Sequence, residues 1–201
     1  MADTLDRPGP HPTSDASPAP AAPASGETAV LARVQRALAN GPSVRVARGM
    51  SLFGEHAAGW LAIGVTGAVL DRPRRREWLG SAAAVAFAHG ASIGVKRVVR
   101  RRRPDHPSVR VLVGTPSRLS FPSSHATSTT AAAVLYGGLL GGRSRAAAAA
   151  TVGLMALSRL VLGVHYPTDV ATGTALGAAV ATGARPVIRR SAARRNPTSG
   201  G

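Results

Sequence analysis

The sequence predicts an all-α protein, an integral membrane helical bundle of about five transmembrane helices with an N-terminal amphipathic helix. Three observations support this prediction. Apolar stretches alternate with short basic segments, these stretches are rich in Ala and Gly, and hydrophobic residues make up 44% of the 201 residues while aromatic residues make up only 3%. A soluble core of such small side chains would bury little apolar area per residue, whereas small residues suit the close approach of membrane helices.

The N-terminal segment divides into a tail and a short helix. Residues 1–27 are rich in Pro, Ala and Ser and lack the apolar stretch of a signal peptide, so we expect a disordered tail. Residues 28–49 place apolar side chains at helical spacing among arginines, which predicts an amphipathic helix lying on a membrane surface. The Asn40-Gly41-Pro42 segment is expected to end this helix.

Five apolar stretches follow, each near the lower length limit for crossing a bilayer about 30 Å thick. They lie near 52–70, 79–95, 124–142, 146–163 and 168–184. Most charged residues lie in the gaps between them, whereas a soluble amphipathic helix would carry a charged stripe along its length. We therefore predict a membrane domain over 50–185 and a basic disordered tail over 186–201, with a soluble Ala-rich bundle as the alternative.

The amino-acid composition limits the possible classes of function. The net charge of +16 comes from 24 arginines and one lysine, Lys96, against nine acidic residues. This charge favours anionic lipid headgroups or a phosphorylated substrate, and we expect no nucleic-acid partner because basic loops between apolar spans commonly serve topology. The sequence lacks Cys, which excludes disulfides and thiolate metal sites. Only Asp105 and Asp169 lie near the candidate site, so we expect no metal and no other cofactor.

Three polar clusters lie between the apolar segments. They are Lys96 with Arg103-Pro104, then Pro122-Ser123-Ser124-His125, then Ser158-Arg159 with His165 and Asp169. Phosphoryl transfer needs cations and N–H donors around the phosphate oxygens, together with an in-line nucleophile and leaving group. With five spans, the loop 96–123 and the turn 164–167 emerge on the same membrane face. The three clusters can therefore meet.

The second cluster opens the third span. Pro122 suits the first turn of a helix, so the free N–H groups of Ser123, Ser124 and His125 would point outward as an anion site. A Ser-Ser pair at a helix start is by itself an ordinary N-cap. His125, which follows it directly, could protonate a departing oxygen as a general acid.

The third cluster contains a His–Asp pair four residues apart. Pro167 is expected to start the fifth span, which places Asp169 in the first turn, where it can reach back toward His165. A carboxylate that accepts the Nδ1 proton of an imidazole leaves Nε2 free as a nucleophile. Taken alone, the pair is more consistent with a structural hydrogen bond than with catalysis.

The pattern K-x6-R-P, P-S-x-H and S-R-x5-H-x3-D resembles the phosphatidic acid phosphatase type 2 superfamily in order and spacing. The one departure is Ser124, where the family usually has Gly, and the backbone N–H survives that change. The resemblance implies an all-helical membrane phosphatase that needs no metal. It also implies that His165 is the nucleophile forming a phosphohistidine, that Asp169 orients it, and that His125 is the general acid. The phosphate-binding residues it implies are Lys96, Arg103, Ser123, Ser124 and Arg159.

The substrate implied by the resemblance is a lipid-linked phosphate. The stretch 121–133, FPSSHATSTTAAA, looks similar to an actinobacterial branch of the family that acts on decaprenylphosphoryl-5-phosphoribose, a precursor of cell-wall arabinose. With the predicted spans, this implies a multi-pass protein of the cell membrane. Undecaprenyl pyrophosphate, phosphatidic acid or phosphatidylglycerol phosphate are the alternative substrates. A non-enzymatic lipid-binding membrane protein is the alternative class.

Two further features stay open at this level. Gly173 and Gly177 have the small-xxx-small spacing of close helix contacts, which could serve internal packing or a homo-oligomer. His56 and His89 could face each other between the first two spans, either as structural hydrogen-bonding groups or as part of a substrate channel.

Overall fold

The computed structural model describes residues 23–194, apart from the side chains of residues 142–145. Within this part of the chain, seven α-helices pack into a bundle. They are α1 (Gly26–Leu38), α2 (Gly41–Gly54), α3 (Ala58–Leu70), α4 (Arg75–Val99), α5 (Ser124–Leu140), α6 (Gly142–Val161) and α7 (Pro167–Ala193). Short 3₁₀ turns at Glu55–Ala57 and Arg72–Arg74 precede α3 and α4. The prediction of an all-helical bundle is confirmed.

α5 lies at the centre of the bundle and packs against α4, α6 and α7. Small side chains make this possible, and Ala131 and Ala132 are fully buried. The buried hydroxyls of Thr127 and Ser128 donate to the backbone carbonyls of Ser123 (2.9 Å) and Ser124 (3.0 Å), one turn earlier in the chain. These polar side chains are thereby satisfied within the bundle.

The two glycines of α7 face α5. A Cβ atom at Gly173 would lie 2.5 Å from the carbonyl oxygen of Ser123, and one at Gly177 would strike the carbonyl oxygen of Thr127. Only glycine permits the two backbones to approach this closely. The small-xxx-small spacing therefore serves packing between α5 and α7 within one chain.

The apolar core between α3, α4, α5 and α7 contains the two tryptophans of the chain. Trp60 donates its indole N–H to Thr129 Oγ1 (3.0 Å), and Trp78 donates to Asp71 Oδ2 (3.0 Å). Tyr136 donates to the carbonyl of Trp60 (3.0 Å) and packs with its ring centroid 5.4 Å from that of Trp78. Large aromatic side chains thus stabilise the apolar core, which contains none of the three polar clusters.

α1 and α2 replace the single interfacial helix that was predicted over 28–49. Asn40 explains the division, because its Oδ1 accepts the N–H of Ser43 (3.0 Å) while Pro42 occupies the first turn of α2. The segment that ends α1 therefore also starts α2. Buried Gln35 attaches α1 to the bundle, since its amide donates to the carbonyls of Arg110 (2.7 Å) and Val161 (3.0 Å).

The predicted first span, 52–70, is broken. α2 ends at Gly54, and His56 and Ala57 follow with left-handed φ angles of 51° and 59°. A Cβ atom at Gly54 would lie 2.7 Å from Cδ2 of His125, so glycine lets the end of α2 approach that ring closely. α3 is consequently only 13 residues long.

α7 continues to Ala193, past the boundary at residue 185 where the basic tail was predicted to begin. Pro186 lies inside this helix and removes one backbone hydrogen bond. The helix persists because Ile188 packs against the apolar core, close enough that a Cβ on Gly80 would lie 3.2 Å from it. Residues 1–22 of the predicted N-terminal tail and residues 195–201 of the predicted C-terminal tail lie outside the described residues.

Among the described residues, one helical segment, Arg72–Val99, is long and apolar enough by length and composition to cross a membrane. Its exposed apolar side chains include Phe87, which is 68% exposed, and Val98, which is 82% exposed. Exposed apolar surface of this kind suits contact with lipid. The number of five spans stays a prediction.

Candidate active site

A cavity of about 510 Å³ lies at the end of the bundle where α4 ends and α5 begins. Six of the eight predicted site residues line it. They are Lys96, Arg103, Ser124, His125, Arg159 and His165. The three polar clusters, which are far apart in the chain, therefore meet in one place.

Lys96 reaches the cavity from the last turn of α4. Its Nζ donates to the carbonyls of Leu119 (3.3 Å) and Ser120 (3.1 Å), in the loop between α4 and α5. The loop folds back on itself, since Ser120 N–H donates to the carbonyl of Arg101 (2.8 Å). Lys96 thus both supplies a cation and holds the loop against the helix.

Arg103 extends from this loop to the turn between α6 and α7. Its Nε donates to the carbonyl of Ser117 (2.8 Å), and its Nη1 lies 2.6 Å from the carbonyl oxygen of Val164 and 3.3 Å from Nε2 of His165. Burial lowers the pKa of Arg103 to about 10, so the guanidinium stays charged at neutral pH.

His165 is held in a single tautomer by this contact. A guanidinium can only donate hydrogen bonds, so Nε2 must carry the lone pair and the proton lies on Nδ1. Nδ1 faces Oδ2 of Asp169 at 3.6 Å, slightly beyond hydrogen-bond length. Burial lowers the pKa of His165, which is 2% exposed, to about 3, so the ring is neutral at neutral pH. The arrangement presents an unprotonated nitrogen beside a cation.

Asp169 lies behind His165, fully buried in the first turn of α7. Its Oδ2 accepts the N–H of Tyr166 (2.8 Å), and its Oδ1 accepts from Nη1 of Arg101 (3.0 Å). Arg101 also pairs with Glu27 of α1 (2.6 Å), which accepts from the N–H (2.9 Å) and hydroxyl (2.6 Å) of Thr168. Although burial opposes the charge, these bonds from Thr168 and Arg101 hold the pKa of Glu27 below its usual value. The carboxylate behind His165 is therefore fixed through α1.

Arg159, in the last turn of α6, is 2% exposed. Its guanidinium donates to the hydroxyls of Ser158 (3.1 Å) and Ser51 (3.1 Å) and to the carbonyl of Ala47 (3.4 Å). Two of these partners belong to α2. The position of this cation therefore depends on α2.

His125 stands in the first turn of α5, across the same cavity. Its Nε2 lies 3.0 Å from the carbonyl oxygen of Ser51. A carbonyl can only accept, so Nε2 carries a proton in this arrangement. Ser51 thus contacts both His125 and Arg159.

The two serines before His125 differ in position. Ser124 lines the cavity, and its hydroxyl hydrogen-bonds that of Ser92 on α4 (2.7 Å). Ser123 caps α5 by accepting the N–H of Ala126 (3.4 Å), while its own N–H donates to the carbonyl of Asp169 (2.9 Å). The structure therefore places Ser123 at the junction of α5 and α7, where the close approach of α7 occupies the N–H that we expected to face an anion.

No group of three or more His, Cys, Asp or Glu side chains is arranged to hold a metal ion anywhere in the described part of the chain.

Residues 77–192 match the PAP2 superfamily, a region that includes all three polar clusters. The chain belongs to the PAP2 superfamily. It is 59% identical over 149 residues to a decaprenylphosphoryl-5-phosphoribose phosphatase of Mycolicibacterium smegmatis, covering 74% of this chain and 81% of that protein. It is 54% identical over 156 residues to the Mycobacterium tuberculosis protein of the same name, covering 77% and 86%.

The fold is that of transmembrane PAP2 proteins. The crystal structure of a transmembrane PAP2-type phosphatidylglycerolphosphate phosphatase from Bacillus subtilis superimposes with a TM-score of 0.65 at 21% identity. The match covers 81% of this chain and 86% of that one. The helical bundle is shared, and the predicted resemblance to the family is confirmed.

Sequence reasoning missed Ser51 and Arg101 in this PAP2 site. Ser51 belongs to α2, outside the three clusters, and no local pattern distinguishes it. Arg101 lies in the run from Arg100 to Arg103, of which the sequence motif includes only Arg103. Four adjacent arginines look alike in a sequence, and only the fold shows which of them turns toward Asp169.

Proposed function

We propose that this protein is a metal-independent phosphatase that removes the terminal phosphate from decaprenylphosphoryl-5-phosphoribose through a phosphohistidine intermediate. The observation that carries the proposal is the unprotonated Nε2 of His165, held beside Arg103 in a cavity that also contains Lys96 and Arg159. The two mycobacterial relatives support the choice of substrate at 59% and 54% identity. The product would serve synthesis of the cell-wall arabinan precursor.

The first step is attack of His165 Nε2 on phosphorus. An N–P bond forms and the P–O bond to the ribose breaks, while Arg103, Lys96 and Arg159 stabilise the charge on the equatorial oxygens. The N–H of Ser124 is a further donor to these oxygens. Asp169 stabilises the imidazolium that forms, because its carboxylate faces the Nδ1 proton.

The departing ribose oxygen also needs a general acid. The dianionic phosphate of the bound substrate favours the imidazolium form of His125, which gives a proton to the departing ribose oxygen and becomes a neutral imidazole. For this step its ring turns away from the carbonyl of Ser51. His125 then takes a proton from a water molecule that attacks phosphorus. The N–P bond breaks, inorganic phosphate leaves, and His165 returns to its neutral form.

The membrane placement is part of the proposal. α4 to α7 form four spans of the cell membrane, and α3, with 13 residues, forms a fifth, shorter span around which the bilayer thins. α1 and α2 lie at the surface where the cavity opens. The membrane PAP2 neighbour and the apolar segment Arg72–Val99 support this placement. Retention of the chain in membranes after an alkaline carbonate wash is the expected result, and its release into the aqueous fraction would contradict it.

The activity is tested by phosphate release from the purified full-length chain in detergent. The panel is decaprenylphosphoryl-5-phosphoribose, a polyprenyl pyrophosphate, phosphatidic acid and phosphatidylglycerol phosphate, each with and without EDTA. We expect the first substrate to give the highest kcat/KM and EDTA to have no effect. Faster turnover of another member of the panel would reassign the substrate. Tight binding of lipid phosphate without turnover would indicate a binding protein.

A further inference from the structure

A second polar group lies on the wall of the same cavity, apart from the cationic residues. It consists of Glu55, His56 and His89. We propose that these three side chains form a subsite that binds the hydroxyl groups of a sugar attached to the phosphate. This inference rests on the proposed function, because it names what recognises the group beside the scissile bond.

The spacing of His89 and Lys96 along α4 leaves space for one sugar ring between this group and a phosphate bound at Lys96. His89, Ile93 and Lys96 all line the cavity and follow the i, i+4, i+7 pattern of one helix face. Two helical turns separate His89 from Lys96, a rise of about 10 Å. A phosphate held at Lys96 would leave room for one sugar ring before His89.

His89 has an unused hydrogen-bonding atom. Its Nδ1 is buried and has no hydrogen-bond partner within the part of the chain that the structure describes. The ring centroids of His89 and His56 lie 6.4 Å apart with the rings tilted by 48°, so the two imidazoles lie next to each other on the cavity wall. A buried polar atom without a partner is costly. A turn of the His89 ring toward the cavity would let a ligand hydroxyl supply the missing bond.

Glu55 gives this end of the cavity a chemistry opposite to that of the cationic end. An ionised carboxylate only accepts hydrogen bonds and repels a phosphate. It suits the hydroxyls of a ribose, which a carboxylate also recognises in dinucleotide-binding folds. The cavity therefore fits a ligand with an anionic end and a neutral, hydroxyl-bearing neighbour.

The backbone at this group is strained. His56 and Ala57 are consecutive non-glycine residues with left-handed φ angles of 51° and 59°. Such conformations are costly and concentrate at functional sites. The break between α2 and α3 brings Glu55 and His56 to the cavity wall, opposite His89 of α4.

Equilibrium binding of two small probes tests the subsite without turnover. The protein is the full-length His165→Ala chain in detergent, and the probes are ribose 5-phosphate and butyl phosphate. Both carry a phosphate monoester, but only the first carries a sugar. We expect ribose 5-phosphate to bind at least about 10-fold more tightly, since hydrogen bonds to a charged or buried polar group have effects of this size. Equal affinities would overturn the subsite.

Variants then test which side chains cause the preference for ribose 5-phosphate. Glu55→Gln and His89→Phe, each in the His165→Ala background, are expected to reduce the ribose 5-phosphate preference to about 3-fold or less. His106→Ala is the matched control, because His106 hydrogen-bonds Ser108 in the loop and does not line the cavity. A preference that survives both Glu55→Gln and His89→Phe would also overturn the proposal, as would an equal loss of affinity for both probes in the nearly isosteric Glu55→Gln protein.

The same measurements separate this inference from the proposed function. If the wild-type chain hydrolyses no lipid phosphate but the ribose preference is found and lost in the variants, the phosphatase assignment fails and the subsite stands. If decaprenylphosphoryl-5-phosphoribose is hydrolysed but ribose 5-phosphate binds no better than butyl phosphate, the phosphatase assignment stands and the subsite is wrong.

Discussion

The two active-site histidines are held in different ways. His165 lies between Arg103 and Asp169, and Asp169 is in turn fixed by Arg101 and Glu27. His125 instead contacts the backbone carbonyl of Ser51 on α2, close to the break at residues 55–57. The first environment fixes both tautomer and orientation, whereas the second depends on a helix that ends beside the cavity. The difference suits a fixed nucleophile and an acid that must change partners.

The largest expected effect follows from replacing His165, the proposed nucleophile. His165→Ala should lower kcat by about 10⁵-fold or more, because the covalent route is lost. Alkaline-quenched reactions with substrate radiolabelled in the terminal phosphate should trap a base-stable, acid-labile phosphohistidine in the wild-type protein and none in the variant. Label retained on the His165→Ala chain would assign the nucleophile to another residue.

The second effect tests whether His125 acts on the leaving group. His125→Ala should lower kcat on a lipid phosphate by about 10²- to 10⁴-fold, the usual contribution of a general acid. With p-nitrophenyl phosphate, whose leaving group needs no proton, we expect the first-turnover release of p-nitrophenolate to keep most of its wild-type rate, because only the later attack of water then needs His125. His165→Ala serves as the comparison, since it should release no leaving group from either substrate. An equal loss in the first-turnover rate on both substrates for His125→Ala would contradict an acid role.

The third effect tests how firmly His165 is held. Asp169→Asn should lower kcat by about 100-fold, because the amide no longer favours the Nδ1–H tautomer. Since burial lowers the pKa of His165 to about 3, its ring should stay neutral from pH 5 to pH 8, and protonation should occur only below that range. ¹⁵N NMR of labelled histidine should show this constant neutral tautomer in the wild-type protein and a tautomer mixture in the variant. Titration of the His165 signal near pH 6.5 would contradict the assignment.

The smallest effects test the connection from α1 to the nucleophile. Arg101→Met should lower kcat about 10-fold with little change in KM, and Glu27→Gln about 3-fold, because both act through the orientation of Asp169. Arg101→Lys should recover part of the loss. Arg100→Met is the matched control, because Arg100 donates to the carbonyl of Arg97 on the exposed surface. Equal losses in the Arg100 and Arg101 variants would show that general loop charge, and not Asp169, is responsible.

Much of the site could be predicted because its residues recur at fixed local spacings. The motifs around Lys96, His125 and His165 were assigned from sequence, and the fold brings them to one cavity. Ser123 shows the limit of such reasoning. Its place before an α-helix predicted a free N–H, but the close packing of α7 at Gly173 directs that N–H to the carbonyl of Asp169.

Local sequence was sufficient for the all-helical class, for the close-contact spacing of Gly173 and Gly177, and for the residue types that can bind and cleave a phosphate, because these follow from periodicity and from side-chain chemistry. That the two glycines pack against α5 was decided by the tertiary structure. The tautomer of His165, the choice of Arg101 among its neighbours, and the meeting of Glu55 and His56 with His89 depend on distances between residues that lie tens of positions apart. Such distances arise when helices pack, and the break at residues 55–57 is stable only because the surrounding bundle holds it.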